Sequence, residues 1–311
     1  MKIAIIGRSE LLYECAVKAL ELGYKIPLII TSKEAPEYRR TSKDFEKLAN
    51  EIHAKYIYSS KINDVQIMSE IRDCGPIDIG VSINYSGIIS QKIIDFFKLG
   101  ILNAHGGDLP RYRGNACQAW AILNREKRIA LCIHKMKGDE LDSGDIIERE
   151  YFDVDMDTKI GRIYQWMQEI IPALMIEAVK KIISNNEYVL EVQSKDPKDA
   201  LRCYPRIPED GKINWAKDGE DIIRLINASS EPFSGAFCFF ESKRMIIWKA
   251  RLVNDVENYL AMPGQVSKID LYDQSIEVIT GAGKIAIKDI EYEGARMPPS
   301  KIVRSIRSRL T

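Results

Sequence analysis

Histidine is scarce in this 311-residue sequence: there are three, at 53, 105 and 134. No second histidine stands at zinc-ligand spacing, and none of the six cysteines, at 15, 74, 117, 132, 203 and 238, forms a CxxC pair. That pattern argues against a zinc cage and a disulfide framework and leaves reduced core thiols. No apolar run reaches membrane-spanning length, and the opening MKIAIIG lacks the basic head and cleavage site of a secretory signal. A cytoplasmic protein without membrane contact is expected. Neither sign of charge is in excess, with 45 Lys and Arg against 45 Asp and Glu, which removes the broad electrostatic argument for nucleic acid but leaves a local basic patch open. The first turn, GRSELLYE, lacks two of the three glycines of a dinucleotide fingerprint.

What is present is alternation. Strand patterns at 2–6, 26–31, 55–58, 77–83 and 100–103 are separated by helical patterns, the first of which puts Leu12, Cys15, Ala16 and Leu20 near one face. This order predicts an α/β domain with a mostly parallel sheet and helices on both faces. IALCIHKM and GDIIEREYFDV add two extended runs joined by KGDELDS, and a long helix follows from about 160 to 185. The stretch KDPKDALRCYPRIPEDGK reads as a linker; beyond it one helix and several short strands predict a small β-rich barrel or sandwich. The expected division is a catalytic domain over 1–200, a linker over 201–210 and a smaller domain over 211–311.

The stretch ILNAHGGDLPRYRG, 101–114, ends an apolar strand in a concentration of polar groups. Side chains two apart on a strand share a side, so Asn103 and His105 project together from a carboxyl end, where open parallel sheets bind ligands. An imidazole can exchange a proton near neutrality, and an amide N–H can stabilise an oxyanion. Gly106 and Gly107 either leave room for a ligand or make a turn. GDELDSGD supplies Asp139, Glu140, Asp142 and Asp145, candidates for the carboxylate that orients His105, although a bare acidic turn is usually solvated. His53 reads as a surface residue at a helix end and His134 as a packed strand residue.

Asn103-Ala104-His105, the loop Leu109-Pro110-Arg111-Tyr112-Arg113-Gly114 and the hairpin Leu141-Asp142-Ser143-Gly144-Asp145 together resemble the tetrahydrofolate-dependent formyltransferases. GKINW, EDIIRLINA, PFSGAF and IIWKA extend the likeness into the tail. The resemblance implies a Rossmann-like formyltransferase domain followed by an OB-like barrel, with N10-formyltetrahydrofolate as formyl donor and no metal. It implies Asn103, His105 and Asp142 as the catalytic trio, Tyr85, Ile88 and Leu102 as folate wall, and main chain at Asp139, Glu140 and Leu141 as the pterin contact. The wall residues read equally well as plain core.

Within the family the acceptor varies. Gly106, Gly107 and Asp108 stand where the tRNA enzymes carry a Pro-Ser-Leu run, RIPEDG resembles the linker of sugar-nucleotide formyltransferases, and residues 201–311 hold 17 Lys and Arg against 15 Asp and Glu. These features favour a nucleotide-linked amino sugar, a surface-glycan precursor, over methionyl-tRNA. Asp108 is a candidate for the substrate amine or a sugar hydroxyl, Arg111, Tyr112 and Arg113 for phosphate or base, and Gln118 for the acceptor side. Trp120 reads as core and the terminal SIRSRL as a solvated end, and a homodimer through the C-terminal domain stays open. Readings from other classes are a metal hydrolase on His105, Asp108 and Asp142, and a silent nucleotide-binding module.

Overall fold

The computed structural model describes residues 1–254 and 257–311. Its contacts divide the chain into two units. One is Met1–Cys117, Ile129–Phe152 and Tyr164–Cys203; the other is Gln118–Arg128, Asp153–Ile163 and Tyr204–Thr311.

The first unit is built on β1 (Lys2–Gly7), β2 (Lys25–Thr31), β3 (Lys55–Tyr58), β4 (Ile79–Ile83), β5 (Ile101–His105), β7 (Arg128–Lys135) and β8 (Ile146–Asp153). Sheet order is β3-β2-β1-β4-β5-β7-β8. The first five are parallel and β7 runs antiparallel to β5, so the α/β class with a mostly parallel sheet is observed. α1 (Glu10–Glu21), α2 (Ser42–Glu51), α3 (Val65–Asp73) and the short α4 (Gln91–Ile94) make the crossovers. The continuous apolar run of β1 follows from burial of both faces: Ile3, Ala4, Ile5 and Ile6 are all inaccessible.

Three features differ from the sequence pattern. β5 continues through His105, two residues past the expected end, because the polar residues at its tip still pair with β7. A two-residue strand β6 (Arg113–Gly114), just ahead of α5 (Cys117–Leu123), pairs in parallel with β9 (Arg202–Cys203). β9 lies within the Pro- and charge-rich stretch that follows α6 (Ile160–Ser184), and this stretch also forms 3-10 turns at Pro197–Asp199 and Pro208–Gly211.

The second unit contains a six-stranded antiparallel sheet: β10 (Ala236–Phe240), β11 (Lys243–Val253), β14 (Lys284–Tyr292), β13 (Ser275–Ile279) and β12 (Val266–Asp270) in order, with β15 (Ala295–Met297) on β14. α7 (Gly219–Ser229), capped by the Asp218 carboxylate on the Asp221 N–H, contributes Ile222, Ile223 and Ile226 to its core. The terminal arginines Arg304, Arg307 and Arg309 are exposed, as expected, but the backbone at the very end is paired. Leu310 is buried, its N–H bonds Gly264 O at 2.8 Å, and Thr311 exchanges backbone bonds with Phe239 at 2.6 and 2.9 Å. One tail thus joins both edges of the sheet and draws it toward a barrel. Among the described residues no helix is long and apolar enough to cross a membrane.

Candidate active site

Antiparallel register between β5 and β7 sets the geometry: Asn103 lies opposite His134, and His105 opposite Cys132. Asn103 Nδ2 is 3.1 Å from His134 Nε2. Asp142, on the loop between β7 and β8, sits between the two imidazoles. Its Oδ2 is 3.5 Å from His105 Nδ1 and accepts the Gly114 N–H at 3.0 Å, while its Oδ1 is 3.4 Å from His134 Nε2. A left-handed backbone, φ 48°, turns the carboxylate inward. Burial pushes the Asp142 carboxyl up, but the charge of His105 and the Gly114 N–H act against it and the carboxyl lies well below the usual carboxylate range. Asn103, His105 and Asp142, read from sequence as a trio, are therefore brought to one place, joined by His134.

His105 has a second constraint. Its Nε2 is 2.7 Å from Tyr112 O, an acceptor only, so that nitrogen carries a proton and donates it. With Nδ1 facing a carboxylate, the ring is arranged as a donor on both sides. Cys117 Sγ also donates to Tyr112 O, at 2.9 Å. Gly107 is required by this arrangement: a Cβ there would come within 2.3 Å of Tyr112 O and 2.6 Å of His105 Nε2. The glycine makes room for the histidine's own contact.

The loop read as acceptor-facing is largely engaged within its own unit. Asp108 meets the guanidinium of Arg149, whose side chain is 8% exposed and which also donates to Leu109 O at 2.8 Å and Glu191 at 2.9 Å. Arg113 Nη2 donates to Gln193 Oε1 at 2.7 Å. The Tyr112 ring is buried, 3% exposed. Arg111 is exposed, with its guanidinium 5.2 Å from that ring. Gln118 and Trp120 belong to the second unit, where Trp120 is half-buried and donates to Tyr204 O at 2.8 Å.

The residues expected at the folate fall on adjoining segments. The Asp139 N–H bonds Ile89 O at 3.2 Å, and the Gly138 N–H bonds Gln91 Oε1 at 3.0 Å, tying the 88–91 segment to the loop of Asp139, Glu140 and Leu141. Glu140 accepts from Ser143 Oγ at 2.5 Å. Ile88 is an exposed apolar side chain, Leu102 is fully buried, and Tyr85 is half-buried with its hydroxyl between Ser59 O and the Ile62 N–H. An exposed isoleucine beside main-chain polar groups fits a flat heteroaromatic ring that needs both.

Sequence reasoning missed His134, Arg149 and Gln193. Gln193 is buried and donates to Asp142 O at 2.9 Å and Gly144 O at 2.6 Å, fixing the backbone of the acidic loop. It also passed over a polar group beyond the ends of β1, β2 and β4. There Arg8 donates to Asn84 O and Lys33 O, Ser86 Oγ to Ser32 Oγ at 3.0 Å, and Asn84 Nδ2 to Ser9 Oγ at 3.4 Å. Pairing of β5 with β7 would have exposed His134; nothing local marks Gln193. Among the described residues no group of three or more His, Cys, Asp or Glu could hold a metal ion, and Asp108, a ligand in the hydrolase reading, is paired with Arg149.

Known proteins are similar to this chain in sequence and in fold. The chain is 29% identical over 306 residues, 95% of its own length and 93% of the other's, to a methionyl-tRNA formyltransferase of Ruminiclostridium cellulolyticum. Its fold matches that of an N-formyltransferase from Helicobacter canadensis, solved with folinic acid and dTDP-3-aminofucose, at TM-score 0.65 and 18% identity, over 92% of this chain and 98% of that one. HypX of Aquifex aeolicus, solved with tetrahydrofolic acid, matches at TM-score 0.63 and 14% identity over 98% of this chain, which spans 47% of HypX. The formyl transferase model matches residues 1–179 and the formyl transferase C-terminal domain model residues 206–307, so the chain belongs to the formyl transferase family.

Proposed function

We propose that the cluster of Asn103, His105 and Asp142 transfers the formyl group of N10-formyltetrahydrofolate to a primary amine. The observation that carries the reading is one carboxylate, 11% exposed, facing two imidazoles, with the Asn103 amide alongside. The donor supplies an activated formyl carbon. The amine nitrogen bonds to it, the bond to N10 breaks, and the proton lost by the amine reaches N10. Asn103 Nδ2 offers an N–H to the charge that develops on the formyl oxygen. His105, held as a donor by Tyr112 O and Asp142, favours the same charge. Nε2 turns from Tyr112 O, gives its proton to the departing N10, and the neutral ring so formed takes the proton that the amine loses. Asp142 orients His105 and balances its positive charge.

For the acceptor, the full-length relatives support methionyl-tRNA, and that reading comes first. A nucleotide-linked amino sugar is the second. It is favoured by Gly106-Gly107-Asp108 in place of a Pro-Ser-Leu run, by the near-balance of charge over 201–311, and by the fold shared with a sugar-nucleotide enzyme. Incubation of the full chain with N10-formyltetrahydrofolate and either charged initiator methionyl-tRNA or dTDP-, UDP-, GDP- and CMP-linked amino sugars separates them. Formyl-methionyl-tRNA as product supports the first reading. Formylation of one sugar nucleotide alone replaces it with the second, and no formyl product with any amine refutes both.

A further inference from the structure

We infer that His134 is a positioning residue for formyl transfer: it fixes the rotamer in which the Asn103 amide offers an N–H to the formyl oxygen. This rests on the formyl-transfer reading above. The two ends of an Asn amide are nearly alike in shape and opposite in function, so packing alone does not choose between them. Turned the wrong way, Asn103 would set a carbonyl oxygen against the developing negative charge. The choice requires a hydrogen-bond partner, and the partner at 3.1 Å from Asn103 Nδ2 is His134 Nε2.

That nitrogen has two neighbours of opposite kind. Asn103 Nδ2 is a donor, and Asp142 Oδ1, at 3.4 Å, is an acceptor. With Nε2 unprotonated, His134 accepts one Asn103 proton and leaves the other for substrate; its own proton then resides on Nδ1. That Nδ1 is buried without a hydrogen-bond partner among the described residues. A proton on Nε2 would instead point at Asp142, and Asn103 would have to turn its oxygen toward the ring. The titratable groups that face His134 are Asp142 and His105, whose ring centroid is 6.3 Å away. A proton on Nδ1 is a buried donor without an acceptor, a cost that the Asn103 contact at 3.1 Å offsets.

The test compares wild type, His134→Leu, His134→Met and His134→Gln by steady-state formyl transfer from N10-formyltetrahydrofolate, with methionyl-tRNA and the amino-sugar nucleotides as parallel acceptors. Leu and Met remove the acceptor; kcat should fall on the order of 10- to 100-fold while KM for the folate stays within about twofold. Gln can accept the Asn103 proton through its side-chain oxygen and should recover activity to within about fivefold of wild type. Circular dichroism and melting temperature establish that each variant is folded. An unchanged kcat in Leu and Met, equal losses in Gln and Leu, or failure of both Leu and Met to fold would overturn the inference and assign His134 to packing. A folded wild type that forms no product with any acceptor would overturn the formyl-transfer reading and this inference with it.

Discussion

Asp142→Asn keeps the shape of the side chain and removes its charge. Oδ2 already receives the Gly114 N–H at 3.0 Å, so the amide must leave its oxygen there and direct its nitrogen toward His134 Nε2, where Oδ1 stood at 3.4 Å. Two losses follow. His105 no longer faces a carboxylate at 3.5 Å, and a new N–H competes with Asn103 for His134. A hydrogen bond to a charged group contributes about 1.5–3 kcal/mol, and each 1.4 kcal/mol is a factor of about ten, so the first loss alone predicts a kcat lower by about 10- to 100-fold. The competition for His134 acts in the same direction, which places the expected loss at the upper end. Formation of tetrahydrofolate followed by absorbance at saturating donor measures it. A kcat within about threefold of wild type would refute the assignment of Asp142.

The same substitution tests the ionisation of Asp142. Its folded carboxyl lies below the usual range, with the charge of His105 and the Gly114 N–H acting against burial. A depressed folded value contributes stability that is full above the unfolded value of about 3.9 and is lost as pH falls through the folded one. Urea unfolding should therefore show Asp142→Asn less stable than wild type at pH 7, with the gap closing as the pH falls below about 4. A gap that widens on acidification would mean that the carboxyl is raised.

Other substitutions test the shell around the cluster. Gly107→Ala puts a Cβ within 2.6 Å of His105 Nε2, so it should cost activity about 100-fold and, through overpacking, about 1–3 kcal/mol of stability in a denaturant titration. Gln193→Ala leaves Arg113 and the carbonyls of Asp142 and Gly144 without a side chain that bonds all three; stability should drop about 1–3 kcal/mol and kcat should fall with KM for folate little changed. Arg149→Met deprives Asp108, Glu191 and Leu109 O of one shared donor and should cost about 2 kcal/mol, discounted because Glu191 is half exposed.

Legibility in the sequence followed the range of the interaction. Asn103 and His105 could be paired because a strand's period of two is local. Asp142 could be chosen among four acids only through the family resemblance, since what turns it inward is a left-handed backbone with no mark of its own in the sequence. His134 alternates with apolar neighbours as a packed residue would, and only its pairing opposite Asn103 distinguishes it. Gln193 reaches the acidic loop from about fifty residues away, beyond any spacing rule. The fold class was readable because alternating strands and helices repeat the same local signal. The closing role of Leu310 and Thr311 was not, because a tail of basic residues looks the same whether or not its backbone pairs with a sheet.

The structure also changes what can be asked of the loop 106–114. Its polarity suggested contacts to an acceptor, yet Asp108 is held by Arg149, Arg113 by Gln193, and the Tyr112 carbonyl by His105 and Cys117. Arg149 and Gln193 hold this loop, and if they act only through its shape, they act on every acceptor alike. It follows that disturbing them should lower turnover for every amine the enzyme accepts, in similar proportion. Arg149→Met and Gln193→Ala assayed against methionyl-tRNA and against the amino-sugar nucleotides should therefore preserve the ratio of kcat/KM between acceptors while lowering each value. A changed ratio would return acceptor selection to this loop.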